Sequence, residues 1–195
     1  MTEKAAPQFA VKPPSADGIA AAVAKAGAKG PPPVHLWDPP FCGDLDIEIR
    51  RDGTWFYLGT PIGREALVRL FASVLKREDG KFYLVTPVEK VGIRVQDAPF
   101  IAVDCTAEAG DLRFVTNVGD TVVAGPEHPI RVEIAADGEP RPYLHVRRGL
   151  EARIDRKTFY RLVDLAVPED HAGEDWLGLR SGGVFFPIQR MAEIS

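Results

Sequence analysis

The sequence has few of the features that usually identify an enzyme. It contains only two cysteines, Cys42 and Cys105, which are too far apart for a C-x-x-C zinc or redox motif. The motifs G-x-S-x-G, H-E-x-x-H, G-x-G-x-x-G and the P-loop are absent, and the four histidines are scattered. A serine triad assembled only by the fold stays open. We therefore predict a binding protein rather than an enzyme, with no catalytic residue, metal or cofactor.

Long apolar runs and blocks of basic residues are also missing. The most apolar stretch, from Gly18 to Ala28, is interrupted by Lys25 and is shorter than the roughly 18 residues that a membrane span needs. The N-terminus lacks the basic and apolar regions of a secretion signal, so we expect a cytoplasmic protein. The net charge is −4 and both signs are mixed along the chain, which argues against a nucleic-acid polymer as partner.

The chain of 195 residues is 45% hydrophobic, which is ordinary for a globular protein of one large or two compact domains. Residues 1 to 40 differ from the rest and are predicted to form an arm. An Ala-rich stretch from Ile19 to Ala28 indicates a helix, and the segment GPPPVHLWDPP after it excludes regular structure. We expect the arm to lie against the body and to bury Trp37.

A half-buried strand and a hairpin are predicted after the arm. Ile47 and Ile49 alternate with charged residues from Leu45 onwards, as expected for a strand with one buried face. The turn R-D-G-T follows, because Asp-Gly tolerates the positive φ angles of a tight hairpin. The returning strand is Trp55 to Leu58.

The clearest helical pattern follows Thr60-Pro61, which suits a helix start. Its apolar positions at helical spacing are Ile62, Ala66, Leu67, Leu70, Phe71, Val74 and Leu75. Lys76 and Arg77 are predicted to form its last turn, and Asp79-Gly80 to end it. Two strands are then predicted, Lys81 to Val85 and Val91 to Val95, with Pro87 between them.

The second half of the chain is richer in strand patterns. The predicted strands are Ile101 to Cys105, Leu112 to Thr116, Thr121 to Ala124, Ile130 to Ala135, Leu144 to Arg147, Trp176 to Leu179 and Val184 to Ile188. One further helix is predicted from Arg156 to Val167, ending before Pro168.

A weak internal repeat connects the two predicted helices. The residues Ile62, Arg64, Leu67, Arg69 and Leu70 recur at one constant offset as Ile154, Arg156, Phe159, Arg161 and Leu162. Strand patterns precede and follow both helices, so we predict an α+β fold with a duplicated unit. The predicted units are residues 41 to 95 and residues 96 to 195, each a bent antiparallel sheet with one packed helix.

The strand from Trp55 to Leu58 offers a candidate ligand surface. Its alternation places Phe56 and Leu58 on one face, suited to the core, and Trp55 and Tyr57 on the other. The polar tips of Trp and Tyr suit a stacking platform at a cleft. The alternative is a strand buried on both faces.

Charged residues in the same region suggest an anion site. Arg64 falls in the first turn of its predicted helix, where unpaired backbone N–H groups favour anions. Further cations that build this unit are Arg50, Lys90 and Arg94. The alternative is that they pair with carboxylates such as Glu65 and Glu89.

Three acidic residues raise the question of a metal site. Asp44, Asp46 and Glu48 share one face of their strand, which suits either a solvated charged surface or Mg²⁺ or Ca²⁺. We favour the charged surface because no His, Asn or Gly-containing ligand loop supports a metal.

Two long segments carry a family resemblance, PPVHLWDPPFCGDLDIEIRRDGTWFYLGTPIGREALVRLF and KFYLVTPVEKVGIRVQDAPF. They resemble the uncharacterised bacterial domain-of-unknown-function family twelve-eighty-five (DUF1285). The resemblance implies two domains with a duplicated core, a pleckstrin-homology-like C-terminal domain, a nucleotide-like ligand site between the domains and a signalling role. The matching motifs contain our predicted ligand-binding residues, which are Trp55, Tyr57, Thr60, Arg64, Glu89 and Lys90.

The leading hypothesis is a sensor that binds a small anionic, nucleotide-like ligand between two α+β units. One alternative is a metal-dependent hydrolase or phosphotransfer enzyme that uses Asp44, Asp46 or Glu89. A second alternative is a protein-interaction module formed by the strand-rich second half.

Overall fold

The computed structural model describes residues 13–26 and 31–193. Within these residues the fold is mixed α+β, with three α-helices, two six-stranded sheets and one three-stranded sheet. The predicted α+β class is therefore confirmed.

The arm begins with helix α1 (Ala16–Ala26), close to the predicted helix, whose last two predicted positions lie outside the described residues. Ile19 is fully buried in the core, and α1 packs against the first helix of the body. A short 3-10 turn, Val34–Leu36, then buries Val34. Trp37, which we expected to be buried, is only half-buried against the core, and Val34 is the buried residue of this turn instead.

The first sheet is formed by the region that follows the arm. Its elements in chain order are β1 (Phe41–Ile49), β2 (Trp55–Tyr57), β3 (Thr60–Pro61), α2 (Glu65–Ser73), β4 (Leu75–Glu78), β5 (Lys81–Val85) and β6 (Lys90–Val95). The strand order is β3-β2-β1-β6-β5-β4, so two antiparallel meanders are joined by β1 and β6. This central pair is parallel, which corrects the prediction of a purely antiparallel sheet. Parallel neighbours require a crossover, and α2 lies in it.

The second sheet repeats this arrangement. Its strands are β7 (Phe100–Glu108), β8 (Asp111–Thr116), β9 (Thr121–Val123), β10 (Ile130–Ile134), β11 (Pro140–Arg147) and β12 (Leu150–Ile154). Their order is β10-β11-β12-β7-β8-β9. The first and last strands in the sequence, β7 and β12, again form the parallel central pair. The two units therefore share one strand topology and are related, as predicted.

The remainder of the chain forms α3 (Arg156–Val163), β13 (Val167–His171), β14 (Glu174–Ser181) and β15 (Val184–Arg190). These three strands make the small third sheet, in the order β13-β14-β15. The sequence repeat aligns α2 with α3, but the two helices are not equivalent in the fold, which corrects that part of the prediction. Helix α2 follows the third strand of its six-stranded sheet, whereas α3 follows the last strand of its sheet. The relation of the two units therefore lies in their strand order.

Helix α2 is shorter at both ends than the sequence pattern predicts. Thr60-Pro61 forms β3, because Thr60 pairs with Tyr57 across the hairpin instead of capping a helix. The N-cap is Arg64, which has an extended conformation and provides no side-chain cap. Ala66, predicted on the core face, is exposed.

The end of the same pattern is a hairpin. Lys76 and Arg77 lie in β4 rather than in a last helical turn. Asp79 and Gly80, with φ of 49° and 78°, form the turn between β4 and β5. The apolar residues Val74 and Leu75 were predicted to continue the helix. They are buried at the junction of α2 and β4 instead, and a buried strand end is as apolar as a buried helix face.

Helix α3 also ends earlier than predicted. Asp155 caps it by accepting a hydrogen bond from the backbone N–H of Thr158 at 2.7 Å. The helix stops at Val163, and Val167 and Pro168 belong to β13 instead. Proline is tolerated there because β13 is an edge strand.

Candidate functional site

The sequence-predicted platform on β2 is oriented differently from the prediction. Trp55 is 1% exposed and stacks on Phe71 of α2, with ring centroids 6.2 Å apart. Leu58, predicted to face the core, is 65% exposed, because its φ of 48° begins the tight turn with Gly59. Phe56 is half-buried beneath the guanidinium of Arg50, which lies 3.6 Å from the ring centroid. Neither the predicted platform nor a strand buried on both faces describes β2.

The other predicted ligand residues lie on separate surfaces. Tyr57 and Thr60 are partners at the β2–β3 edge, whereas Glu89 and Lys90 lie at the start of β6, beyond β1. Arg64 is exposed and forms no side-chain hydrogen bond or ion pair with any described residue. The six residues thus do not line one common cavity, and their role in ligand binding stays a prediction.

Lys90 is already paired. Its Nζ lies 2.9 Å from Oε2 of Glu78 and 5.2 Å from the ring centroid of Tyr83. The hydrogen bond to Glu78 raises the pKa of Lys90, and hydrogen bonds from Lys76 and Lys90 lower the pKa of Glu78. A ligand anion at Lys90 would compete with this carboxylate.

The acidic row on β1 is a salt-bridged surface. Nη2 of Arg94 lies 2.6 Å from Oδ1 of Asp46, which raises the pKa of Arg94, and Glu48 accepts a hydrogen bond from Gln96 at 2.9 Å. In the described part of the chain, no group of three or more His, Cys, Asp or Glu side chains is placed to hold a metal ion. A groove of about 930 Å³ runs along this surface, but Lys90 and Arg94 at its wall both have carboxylate partners.

A smaller cavity collects arginines from both halves of the chain. It has a volume of about 350 Å³ and we call it the arginine cavity. Its lining residues are Arg51, Asp137, Glu139, Pro140, Arg141, Pro142, Arg153, Ile154, Arg156, Phe159 and Tyr160. Arg51 belongs to the β1–β2 turn, Arg141 to β11, Arg153 to β12, and Arg156 is the first residue of α3.

Two of these arginines have no carboxylate partner among the described residues. Arg156 donates from Nε to the hydroxyl oxygen of Tyr160 at 2.9 Å and lies 5.5 Å from that ring centroid. The hydrogen bond raises the pKa of Arg156. The Arg141 side chain forms no hydrogen bond or ion pair within residues 13–26 and 31–193. Both guanidinium groups therefore have donors available for an anion.

The other two arginines face Asp97, on the segment between β6 and β7. Oδ2 of Asp97 lies 3.5 Å from Nη1 of Arg153 and 3.9 Å from Nε of Arg51. Oδ1 accepts a hydrogen bond from the hydroxyl of Tyr143 at 2.8 Å. Burial, together with this carboxylate, raises the pKa of Tyr143 to about 12, so the hydroxyl keeps its proton.

Sequence reasoning missed the arginine cavity because its residues are distant in the chain. One signal was present, since the repeat matches Arg64 at the start of the first helix with Arg156 at the start of the second. The structure makes Arg156 the member of this pair that lines a cavity with other cations.

No helix in the part of the chain that the structure describes is long and apolar enough to cross a bilayer.

Comparison with known proteins identifies a family that matches residues 32–188. The model "Domain of unknown function (DUF1285), N-terminal domain" matches residues 32–98, and "Protein of unknown function (DUF1285), C-terminal domain" matches residues 99–188. Among curated proteins, none matches.

Two solved structures are similar to this chain. A DUF1285 family protein from Silicibacter pomeroyi DSS-3 is 60% identical, with a TM-score of 0.83 over 92% of this chain and 99% of that chain. A DUF1285 family protein from Shewanella baltica OS155 is 32% identical, with a TM-score of 0.51 over 62% of this chain and 91% of that chain.

Proposed function

The chain belongs to the DUF1285 family, and we propose that it is a small-molecule-binding protein whose arginine cavity takes an anionic, nucleotide-like ligand in a regulatory or signalling role. The observation that carries this proposal is the convergence of four arginines from both halves of the chain on one cavity.

The charge of the arginine cavity favours an anion. Its four guanidinium groups face two lining carboxylates, Asp137 and Glu139. Asp137 is engaged locally, because its Oδ1 accepts the backbone N–H of Glu139 at 3.1 Å. The planar fork of arginine matches phosphate and carboxylate oxygens bidentately, which supports a phosphate or carboxylate as the ligand's charged group.

The walls of the cavity suit a flat apolar group next to that charge. Tyr160 is 55% exposed beside Arg156, while Phe159 and Pro142 are buried at the cavity wall. Aromatic faces stack on bases without strong sequence preference. A volume of about 350 Å³ falls at the lower end of the range for small-molecule sites, roughly 300–1,000 Å³.

Matched arginine variants test the location of the site. A calorimetric panel of nucleoside monophosphates, pyrophosphate and dicarboxylic acids first identifies an anion that binds. We expect Arg156→Ala and Arg141→Ala to weaken its binding by about 1.5 to 3 kcal/mol, the range for a hydrogen bond to a charged group. Arg64→Ala is the control, because Arg64 is also an exposed arginine at a helix start but does not line the arginine cavity.

Weaker binding in Arg64→Ala with unchanged binding in Arg156→Ala would instead favour the sequence-predicted set that contains Arg64, Glu89 and Lys90. An absence of binding across the whole panel would refute the proposal.

A further inference from the structure

We propose that Asp97 is a built-in counter-ion that restrains the anion affinity of the arginine cavity. This inference rests on the proposed function and concerns a residue that does not itself line the cavity. Asp97 contacts two of the lining arginines, Arg51 and Arg153, and itself lines a separate polar cavity of about 270 Å³.

Asp97 is held firmly in this place. Its side chain is only 13% exposed, and the hydroxyl of Tyr143 fixes Oδ1 at 2.8 Å. The backbone beside it is anchored too, because the backbone N–H of Gln96 donates to the carbonyl oxygen of Ile49 at 3.0 Å. The carboxylate is thus a fixed negative charge between Arg51 of the first unit and Arg153 of the second.

The effect of this charge on a ligand is repulsive. Two of the four cavity arginines, Arg51 and Arg153, already lie near the carboxylate, so their charge is partly neutralised before any anion enters. A bound anion would meet the full positive charge only at Arg141 and Arg156, and the negative charge of Asp97 would repel it. Removal of the Asp97 charge should therefore strengthen anion binding, the reverse of what damage to a binding site produces.

Asparagine is the informative replacement at this position. The amide oxygen of Asp97→Asn can still accept the hydrogen bond of Tyr143, so the variant removes the charge and keeps the anchor. Asp97→Glu keeps the charge and tests for effects of side-chain size. Asp97→Ser is a second neutral variant in case the asparagine variant does not fold.

Asp104 supplies a matched control for net charge. It pairs with Arg161 of α3 on the surface and does not line the arginine cavity. Asp104→Asn therefore changes the net charge of the protein by the same amount as Asp97→Asn, but at a surface outside the arginine cavity.

The experiment measures the dissociation constant of pyrophosphate by calorimetry on the full chain, at low and at physiological salt. We expect Asp97→Asn to bind about threefold to tenfold more tightly at low salt, with a steeper loss of affinity as salt is added. Asp97→Glu and Asp104→Asn should bind within about twofold of the wild type, since both keep a carboxylate at position 97.

The outcomes separate this inference from the function on which it rests. Suppose that Arg156→Ala weakens pyrophosphate binding, but both neutral Asp97 variants bind no more tightly than the wild type. This result would overturn the inference and would still support the anion site. Equal gains in Asp97→Asn and Asp104→Asn would also overturn it, because they would show a general charge effect. An absence of pyrophosphate binding by the wild type and by both neutral variants would overturn the inference, whereas the site itself is refuted only if the whole anion panel fails to bind.

Discussion

The guanidinium group of Arg147 donates a hydrogen bond to the carbonyl oxygen of Ala72 at 3.0 Å, which connects β11 of the second sheet to the last turn of α2 in the first unit. Carbonyl groups in the last helical turn lack intrahelical partners, so a cationic donor is favourable there. Arg147 also pairs with Asp120 and lies 4.8 Å from the ring centroid of Phe100. Only the hydrogen bond to Ala72 joins the two units, whereas the contacts with Asp120 and Phe100 hold the guanidinium group within the second unit.

The first prediction concerns this contact. Arg147→Ala should lower the free energy of unfolding by about 1.5 to 3 kcal/mol, because it removes charge-assisted hydrogen bonds at a half-buried position. Arg148→Ala is the control, since Arg148 is exposed in the adjacent turn and should change stability by less than about 0.5 kcal/mol. Urea denaturation of both variants measures the difference, and equal stabilities would show that the contact is dispensable.

The second prediction separates the core role of Trp55 from a ligand role. Trp55→Ala should cost about 3 to 5 kcal/mol of stability, because it empties a fully buried site against Phe71. Trp55→Phe should cost only about 1 to 2 kcal/mol, since the buried Nε1 of Trp55 has no hydrogen-bond partner to lose in the part of the chain that the structure describes. Thermal and denaturant melting measure both values. A stable Trp55→Ala protein with lost anion binding would instead support the sequence-predicted ligand platform.

The third prediction concerns the packing of the small third sheet. A Cβ atom added at Gly178 would lie 2.5 Å from the backbone oxygen of Phe186 and would also clash with Cζ of Phe185. We expect Gly178→Ala to destabilise the protein by about 1 to 3 kcal/mol, the range for overpacking. Gly63→Ala is the control, because no atom of the described residues lies within 4 Å of its added Cβ and its φ is not positive. A melting curve of Gly178→Ala that matches this control would contradict the close packing of β14 on β15.

The fourth prediction is a dependence of stability on alkaline pH. The pKa of Tyr143 is raised from 10.0 to about 12 in the folded protein, so the folded state holds this proton more tightly than the unfolded chain. The stabilisation is complete below about pH 10, the pKa in the unfolded chain, and is lost as pH rises through about 12. Tyr143→Phe should remove this contribution. Denaturant melts between pH 9 and 12 should therefore converge for the two proteins, and parallel curves would contradict the raised pKa.

Local patterns in the sequence determined much of the fold. The alternation around Ile47 and Ile49 predicted β1 because a strand with one buried face imposes that period, and both side chains are fully buried. The Asp-Gly turn predicted the β1–β2 hairpin, since Gly53 adopts a φ of 82° that few residues tolerate. The α+β class, the relation of the two units and the family membership were also predicted from the sequence. The division at residues 95 and 96 stays a prediction.

Tertiary structure decided what local patterns leave ambiguous. A short apolar run is compatible with a helix or a buried strand, and only pairing with Leu84 in β5 made Leu75 a strand residue. The orientation of Trp55 and Leu58 depended in the same way on the turn after β2 and on the position of Phe71 in α2. The parallel β1–β6 and β7–β12 pairs are contacts between residues distant in sequence, which no local period records.

The candidate site shows the same limit. The sequence by itself determined that cations and helix starts were available, and it paired Arg64 with Arg156 through the repeat. Only the packing of the β1–β2 turn against the second unit brought Arg51 next to Arg153 and left Arg64 apart from them. Charge acts through space over a few ångströms, so the distance between residues in the fold, and not their spacing in the chain, decides which arginines act together.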